Sequence, residues 1–582
     1  MAGGSDDEAM MLMFAIRARK NEEATLAFII ALLSIGVAYI AFYLVRQSSH
    51  WVRRTADGKS ALPPLLAAFP RMIRRASLQR AAGVPSLGHA AITTIYLGLN
   101  LVCVFANLDT NSNMTSNIAS RTGWLAVANL VVVMFFALKN TPLAFLTAWS
   151  YERLNCLHRI SGYVAVTHLV VHAACYSVFF YSIGLASQLL STGDVYGIIS
   201  GSCWVLLALA AVFIRRWWYE LFYYLHVSLW VVSIVTLGLH QPKMANKFIY
   251  GTIIAGSMWG FDRIIRFVRL VAHSGNTATL TPLPNGGTRV TLANTPLGVT
   301  AGKHCFLWIP RLRLFETHPF TIASADPLEF VVASHNGFTA DLHKHALEYP
   351  GVPLKASIEG PYGTVPKASS FETAILVSGG SGASFTFGLA NTLLRRVRSS
   401  NTKRIIFVWI VKYNSYLKWF AHHLVALTKD TRFEVHVFVT RSQAPPVPPK
   451  PNPFVDHPQD QSRHYAVRTG GIEKKQIRVI RPMVSDSSLD LEKWQASSDN
   501  ESIFSESSYS SLEDLSNLSI KYQKPNVASL IRDVVNATPR EERVLISGCG
   551  PSQLMGLMRE TTAECIEAGG PSIELHCEEF GW

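Results

Sequence analysis

Four histidines share one interval. His158 and His172 lie fourteen residues apart, and so do His226 and His240. Each pair sits in an apolar stretch of membrane-spanning length, where ionisable side chains are rare and usually functional. At 3.6 residues per turn, fourteen steps bring a side chain back to nearly the same helix face about 21 Å further along. One other span separates the two stretches, so they run in the same direction. His158 then comes level with His226 towards the cytosol, and His172 with His240 towards the outside. Two stacked histidine pairs fit two haems b, each iron taking two axial imidazoles and so suited to electron transfer rather than small-ligand binding. The competing reading is four core histidines bonded to carbonyls, and the matched interval weighs against it. A proton channel would not need that interval either. His168 has no counterpart in the second stretch and is expected to be a hydrogen-bonded core side chain.

The second half of the chain carries a different chemistry. In HPFTIAS, His318 to Ser324, an extended strand would line a flavin, with a threonine hydroxyl at the isoalloxazine edge and His318 at the pyrophosphate. NGFTADLHK puts Gly337, Phe338 and Thr339 at a helix start, where free N–H groups and the helix dipole favour a phosphate. In VSGGSGASF, Gly379, Gly380 and Gly382 follow a strand and open a helix, which lets a pyrophosphate approach the backbone. SGCGPSQLM repeats the strand-to-helix join, with Cys549 where a nicotinamide would pass. Lys412, ending the strand RIIFVWIVK, could bind the 2′-phosphate of NADPH or simply be solvated. The terminal CEEFGW offers an aromatic that either stacks on flavin or fills a core gap.

These residues must be positioned by two kinds of element. The 582-residue chain is 49% hydrophobic and only 16% charged, which describes part bilayer and part cytosolic globule. Its net charge of +13 does not indicate a nucleic-acid partner, because Arg46, Arg53, Arg54, Lys59, Arg71, Arg74, Arg75 and Arg80 crowd one loop between two apolar segments. The eight cysteines form no C-x-x-C pair, so neither a disulfide framework nor a zinc site is expected. Seven apolar stretches, near 25–45, 88–107, 122–139, 157–181, 196–214, 219–240 and 247–264, are predicted to span the bilayer. Basic residues at 46–87, 215–218 and 263–269 fall on one side, placing the N-terminus outside and everything after about residue 265 in the cytosol. The first twenty residues do not read as a cleaved signal peptide. The runs ATLTPL, TRVTLAN, HCFLWIP, FTIAS, LEFVVASH and LKASIEG predict a small antiparallel barrel. From 372 onward strands alternate with helices, as in a parallel α/β sheet. Proline followed by acidic, serine-rich sequence at 441–525 predicts a disordered insert. The expected domains are a short outer N-terminus at 1–24, a membrane domain at 25–270, a barrel at 271–368 and an α/β domain at 369–582.

Taken in order, H-R-x-x-G at 158–162, the second histidine fourteen later, the 226/240 pair, HPFT, GGSG, CGP and the ending EEFGW resemble the ferric reductase superfamily, over about 120–582. That superfamily includes fungal ferric/cupric-chelate reductases and NADPH oxidases. The resemblance implies a multi-pass α-helical membrane domain joined to a ferredoxin-reductase-like half, a FAD-binding barrel and an NADPH-binding α/β domain. It implies that NADPH reduces FAD and that electrons pass singly through an inner haem (His158, His226) and an outer haem (His172, His240). His318, Pro319, Phe320, Thr321, Gly337, Phe338 and Thr339 would hold FAD. Gly379, Gly380, Gly382, Lys412, Cys549, Gly550 and Pro551 would hold NADPH, and Phe580 would shield the flavin. The acceptor would be a ferric or cupric chelate outside the plasma membrane, serving metal uptake. Seven spans and the H-R-x-x-G form look like the metalloreductase branch. Oxidases typically have six spans and a further histidine one turn beyond the outer ligand, where this chain has Tyr176. A superoxide-producing oxidase is the alternative, and a haem-binding sensor or channel is a third reading. Departures from the metalloreductase pattern are the short N-terminus, the lysine at 412 in place of the family's arginine, and the insert.

Overall fold

The computed structural model describes residues 3–55, 64–79, 86–147, 151–240, 246–396, 400–441, 518–567 and 570–579. Among them, nine α-helices precede the first strand: α1 (Gly3–Thr55), α2 (Pro64–Leu78), α3 (Leu87–Phe105), α4 (Met114–Ala137), α5 (Pro142–Thr147), α6 (Tyr151–Ser182), α7 (Thr192–Leu209), α8 (Tyr219–Leu239) and α9 (Ile249–Ala272). Six helical stretches are long and apolar enough to cross a bilayer, in α1, α3, α4, α6, α7 with its continuation to Ile214, and α8. The seventh expected span is present as α9 but does not meet that standard. Its second half carries Asp262, Arg263, Arg266 and Arg269, which need polar partners rather than lipid. Residues 1–24, expected as a separate outer N-terminus, are helical from Gly3, and the first apolar span begins at Leu12.

Lipid outside and protein inside are both apolar, so α1, α3 and α7 expose residues such as Leu33, Val37 and Leu101. α4 is the most enclosed span, with half of its apolar stretch buried. Its Arg121 is fully buried and places all five N–H groups on neutral oxygens. These are Asn21 Oδ1 at 2.7 Å, the carbonyls of Cys103 at 2.7 Å and Ala106 at 2.6 Å, and those of Lys20 at 3.3 Å and Asn107 at 3.1 Å. One side chain thereby ties α1, α4 and the end of α3. His168, as expected, is a core side chain: its Nε2 lies 3.0 Å from Asn100 Oδ1, which also accepts from Asn129.

All six expected strands close an antiparallel barrel in the order β1-β2-β5-β4-β3-β6: β1 (Asn276–Leu283), β2 (Gly287–Leu292), β3 (His304–Trp308), β4 (His318–Ala325), β5 (Leu328–Ala333) and β6 (Leu354–Tyr362). α10 (Phe338–Glu348) packs Phe338, Leu342 and Ala346 into the barrel core. The second sheet has the order β10-β9-β8-β7-β11-β12: β7 (Thr373–Gly379), β8 (Arg404–Val411), β9 (Phe433–Val439), β10 (Ile520–Lys521), β11 (Arg543–Cys549) and β12 (Ser572–Glu578). Its pairs are parallel, as the strand–helix alternation requires. α11 (Ala383–Arg395), α12 (Ala421–Thr428), α13 (Val527–Asn536) and α14 (Ser552–Cys565) cover it. Most of the expected insert lies outside the described residues. Its last part does not: Ile520–Lys521 pairs with Val437–Phe438 as the edge strand, so the sheet resumes before residue 525.

Two buried ion-pair clusters join the halves. Glu359 of β6 takes Arg266 of α9 in a bidentate pair at 2.6 and 3.2 Å, accepts from Tyr362 at 2.9 Å, and faces Lys139 at 3.6 Å. Arg153, near the N-terminus of α6, lies 3.0 Å from His576 Nδ1 and 3.5 Å from Glu578 Oε1 of β12.

Candidate electron-transfer site

α6 carries His158 and His172, and α8 carries His226, with His240 just past its end. The ring centres of His158 and His226 are 6.4 Å apart. Two imidazoles bound on opposite sides of one metal, at about 2 Å per bond, have centres about 6 Å apart. The inner pair therefore has the separation a shared iron requires.

The outer histidines are seated alike. His172 Nδ1 donates to the carbonyl of Ala119 and His240 Nδ1 to that of Gly193, each at 2.8 Å. Four residues on from each carbonyl stands a glycine. A Cβ at Gly123 would lie 2.5 Å from His172 Nδ1, and one at Gly197 would lie 2.7 Å from His240 Nδ1. A helical carbonyl offers its second lone pair beside the i+4 side chain, so a glycine there gives an imidazole room to close on it to 2.8 Å. With Nδ1–H committed, Nε2 keeps its lone pair, the tautomer a metal needs. His158 Nδ1 likewise lies 3.1 Å from the carbonyl of Val133. His226 Nδ1 is buried without a hydrogen-bond partner among the described residues. The four-imidazole donor set, with carbonyl seats for His158, His172 and His240, fits two bis-histidine haems.

A single cavity of about 1930 Å³ runs from the His158–His226 pair into the barrel and α/β half. His158 and His226 line it, and so do His318, Pro319, Phe320, Thr321, Phe338, Thr339, Gly379, Gly380, Gly382, Lys412, Cys549, Gly550 and Pro551. Gly337 is not among the lining residues, although its neighbours Asn336 and Phe338 are, and Phe580 lies outside the described residues. His172 and His240 are not part of this cavity.

At the flavin end, Phe306 and His304 of β3 pair with Pro319 and Thr321 of β4. His318 stacks on Phe338, ring centres 4.3 Å apart, and its Nε2 meets Glu316 at 3.2 Å. Burial lowers the His318 pKa, with Glu316 opposing. Gly337 has φ +71°, which caps α10 where other residues would be strained. A Cβ there would lie 3.2 Å from Glu220 of α8, so a carboxylate shares the helix start expected to hold a phosphate. Thr339 is also partly committed, its hydroxyl accepting from the His335 N–H at 2.8 Å.

At the nucleotide end, Gly380 turns with φ +59°, and a Cβ at Gly382 would lie 2.5 Å from the carbonyl of Cys549. The two strand-to-helix turns thus pack backbone to backbone at the carboxyl edge of the sheet, where open α/β sheets bind ligands. Burial pushes the Cys549 thiol up, so it presents a neutral surface rather than a thiolate. Lys412 is exposed at the cavity, beyond β8. The side chains that sequence reading missed are Gly123, Gly197, His304, Lys139, Glu359, Arg266 and Lys524, the last four lining the cavity together with His304. Burial lowers Lys139, while Lys139 and Arg266 more than offset the upward effect of burial on Glu359.

Three protein-family models match in chain order: a "Ferric reductase like transmembrane component" at 122–237, an "FAD-binding domain" at 287–366 and a "Ferric reductase NAD binding domain" at 371–563. The chain belongs to the ferric reductase superfamily. Within that superfamily it resembles fungal proteins. It is 27% identical over 344 residues to a "Probable ferric reductase transmembrane component" of Candida albicans, covering 57% of this chain and 50% of that one. A "Ferric/cupric reductase transmembrane component 2" of Schizosaccharomyces pombe is 26% identical, covering 60% of this chain and 72% of that one. A "Ferric reductase transmembrane component 6" of Saccharomyces cerevisiae is 23% identical, covering 85% of this chain and 65% of that one. The chain spans about half the length of the first curated relatives it matches. These relatives place it in the metalloreductase branch, whereas the number of spans alone separates the branches less sharply than the sequence predicts.

Proposed function

We propose that this protein carries electrons from cytosolic NADPH through FAD and two haems b to ferric or cupric chelates outside the plasma membrane, supporting metal uptake. The observation that carries the reading is the continuity of one cavity from the glycine turns, past the flavin strand, to His158 and His226. When bound, FAD takes a hydride and releases its electrons singly, and the haems pass them one at a time.

The chain's own residues do the rest. Gly379 to Gly382 and Gly550 offer backbone N–H groups to a pyrophosphate, with open space beside Gly380, Pro551 lines the same turn without an N–H, and Lys412 faces the end where a 2′-phosphate would lie. Pro319 and Thr321 present the strand to the flavin ring. The neutral Cys549 thiol adds no charge at the nicotinamide. Lys139, Arg266 and Glu359 hold the barrel against the membrane helices, keeping the flavin strand and the inner pair along one cavity. His172 and His240 carry the path to the outer side. No acid or base is needed there, because an exposed haem edge suffices for outer-sphere reduction.

The test uses membranes containing the full-length protein, NADPH and a ferric chelate, with ferrous product followed with and without superoxide dismutase. Dismutase-insensitive reduction is expected. Reduction abolished by the dismutase would mean that superoxide is the product.

A further inference from the structure

We propose that the loop between β3 and β4 is seated in the bilayer. Leu314 and Phe315 at its tip enter the boundary between headgroups and acyl chains, beside the turn that joins α7 to α8. The partner is a lipid surface, and the contact does not depend on what the four histidines bind.

The tip of this loop is apolar, uncovered and held still. Phe315 is 86% exposed and Leu314 58%, two large apolar side chains in succession. Contiguous exposed apolar surface marks an interaction site, as a lone exposed side chain does not. The N–H groups of Leu312 and Arg313 both donate to the carbonyl of Ile309, at 3.0 and 3.1 Å. Trp308 Nε1 donates to the carbonyl of Leu314 at 2.9 Å, and Arg313 ties the loop to α10 through Asp341 at 2.7 Å. Leu312 turns inward against the barrel core. The outward pair is thus presented in a fixed shape, so burying it costs little further ordering.

The loop's position says what buries it. One span ends at Ile214 and the next begins at Tyr219, so the edge of the bilayer lies at Arg215 to Trp218. Trp217 is 88% exposed, Trp218 61%, and Arg216 is exposed with them. Indole rings beside arginine are the composition of a membrane–water boundary. The β3–β4 loop stands next to this turn: Phe315 and Glu316 line the cavity together with Tyr219, Glu220 and Tyr224. The Glu220 carboxylate acts on Arg313, and Glu220, Glu316 and Arg313 all act on Tyr224. One turn on in α8, the Tyr223 hydroxyl accepts from Arg263 at 3.3 Å, where α9 exchanges lipid for polar partners.

Charge narrows the partner to the acyl region. Arg313 is paired with Asp341 and His318 with Glu316. Exposed Arg216 and Arg311 are partly offset by exposed Glu220, so the loop meets lipid through its apolar tip rather than by reading an anionic headgroup. The consequence is a second hold on the barrel, separate from the Arg266–Glu359 pair. β4 starts three residues after Phe315 and α10 carries Asp341, so lipid at the tip sets the height of both over α8 and resists rocking of the barrel about α9.

Photochemical crosslinking of the full-length protein in nanodiscs of phosphatidylcholine and phosphatidylserine tests this. The variant Phe315→benzoylphenylalanine is irradiated and the loop peptide is read by mass spectrometry. Adducts to the acyl chains of both lipids are expected. Leu297→benzoylphenylalanine is the control for bare exposure, since Leu297 is fully exposed on the β2–β3 loop. It should give on the order of tenfold less lipid adduct, because a side chain outside the boundary meets lipid only by collision. Equal yields at both positions, or no lipid adduct at Phe315, would overturn the proposal. So would a crosslink joining two copies of the chain, which would make the tip a protein interface, or adducts to phosphatidylserine alone, which would make it a headgroup site. Should the Phe315 variant fail to fold, Leu314→benzoylphenylalanine decides by the same outcomes.

Discussion

Replacing Gly123 by alanine is the most direct probe of the outer pair. The added methyl would sit 2.5 Å from His172 Nδ1 and 2.8 Å from its Cε1, where ordinary contacts begin near 3.4 Å. The ring must therefore retreat by roughly 1 Å in a close-packed interior. That motion breaks the 2.8 Å bond to the Ala119 carbonyl. Loss of such a supporting bond alone costs about 10- to 100-fold in metal affinity, or about 1.4–2.7 kcal/mol. A 1 Å shift of a ligand whose bond length is about 2 Å removes ligation altogether. The assay is haem content per protein with reduced-minus-oxidised spectra. Gly123→Ala should fall from two haems to one, lose chelate reduction and keep flavin bleaching by NADPH. Gly98→Ala serves as control, because Gly98 lies in the span α3, is not among the cavity's lining residues, and has nothing within 4 Å of an added Cβ. Two unaltered haems in Gly123→Ala would refute the carbonyl-and-glycine seating.

Arg121→Ala should lower stability by at least about 3 kcal/mol, since five buried oxygens lose their donor; Arg121→Lys, with three donors, should recover only part, read as thermal unfolding in detergent. Glu220→Gln removes the carboxylate beside Gly337 and should tighten FAD binding several-fold, measured by flavin retention on dilution; unchanged or weaker retention would place the phosphates elsewhere. The cluster of Glu329, His422 and His423 between barrel and α12 should make the barrel and α/β half acid-sensitive. Burial holds His423 down to about 4, so the unfolded chain takes up its proton first, and stability present above about pH 6.5 falls by roughly 2 kcal/mol by pH 5. Glu329 is held low by His422 and His423 against the upward effect of burial, so its contribution is lost at still lower pH. His423→Gln should flatten the melting-temperature profile between pH 7 and 5.

Much of the fold was legible because its signals are local. The fourteen-residue histidine interval, the strand alternation and the strand–glycine–helix joins each depend on backbone geometry within a single element. The differences also have local causes. α9 reads as apolar at 247–264, yet its charged continuation, Asp262 to Arg269, belongs to the same helix and docks on the barrel through Arg266 and Glu359. The edge strand Ile520–Lys521 is two residues long and is defined by its neighbour Val437–Phe438, so nothing in its own sequence marks it.

Taken by itself, the sequence determined the element types, the order of membrane, barrel and α/β domains, and which four histidines pair by interval. Periodicity repeats within one segment and needs no partner. Only the tertiary structure decided how those histidines are held and charged. Gly123 supports a ring from α6, Gly197 supports one from beyond α8, and Glu359 meets Lys139 from far along the chain. A lone pair, a missing Cβ or a countercharge acts on whatever segment folds against it. In lipid the packed and the exposed faces are equally apolar, so hydropathy does not say which segment that is.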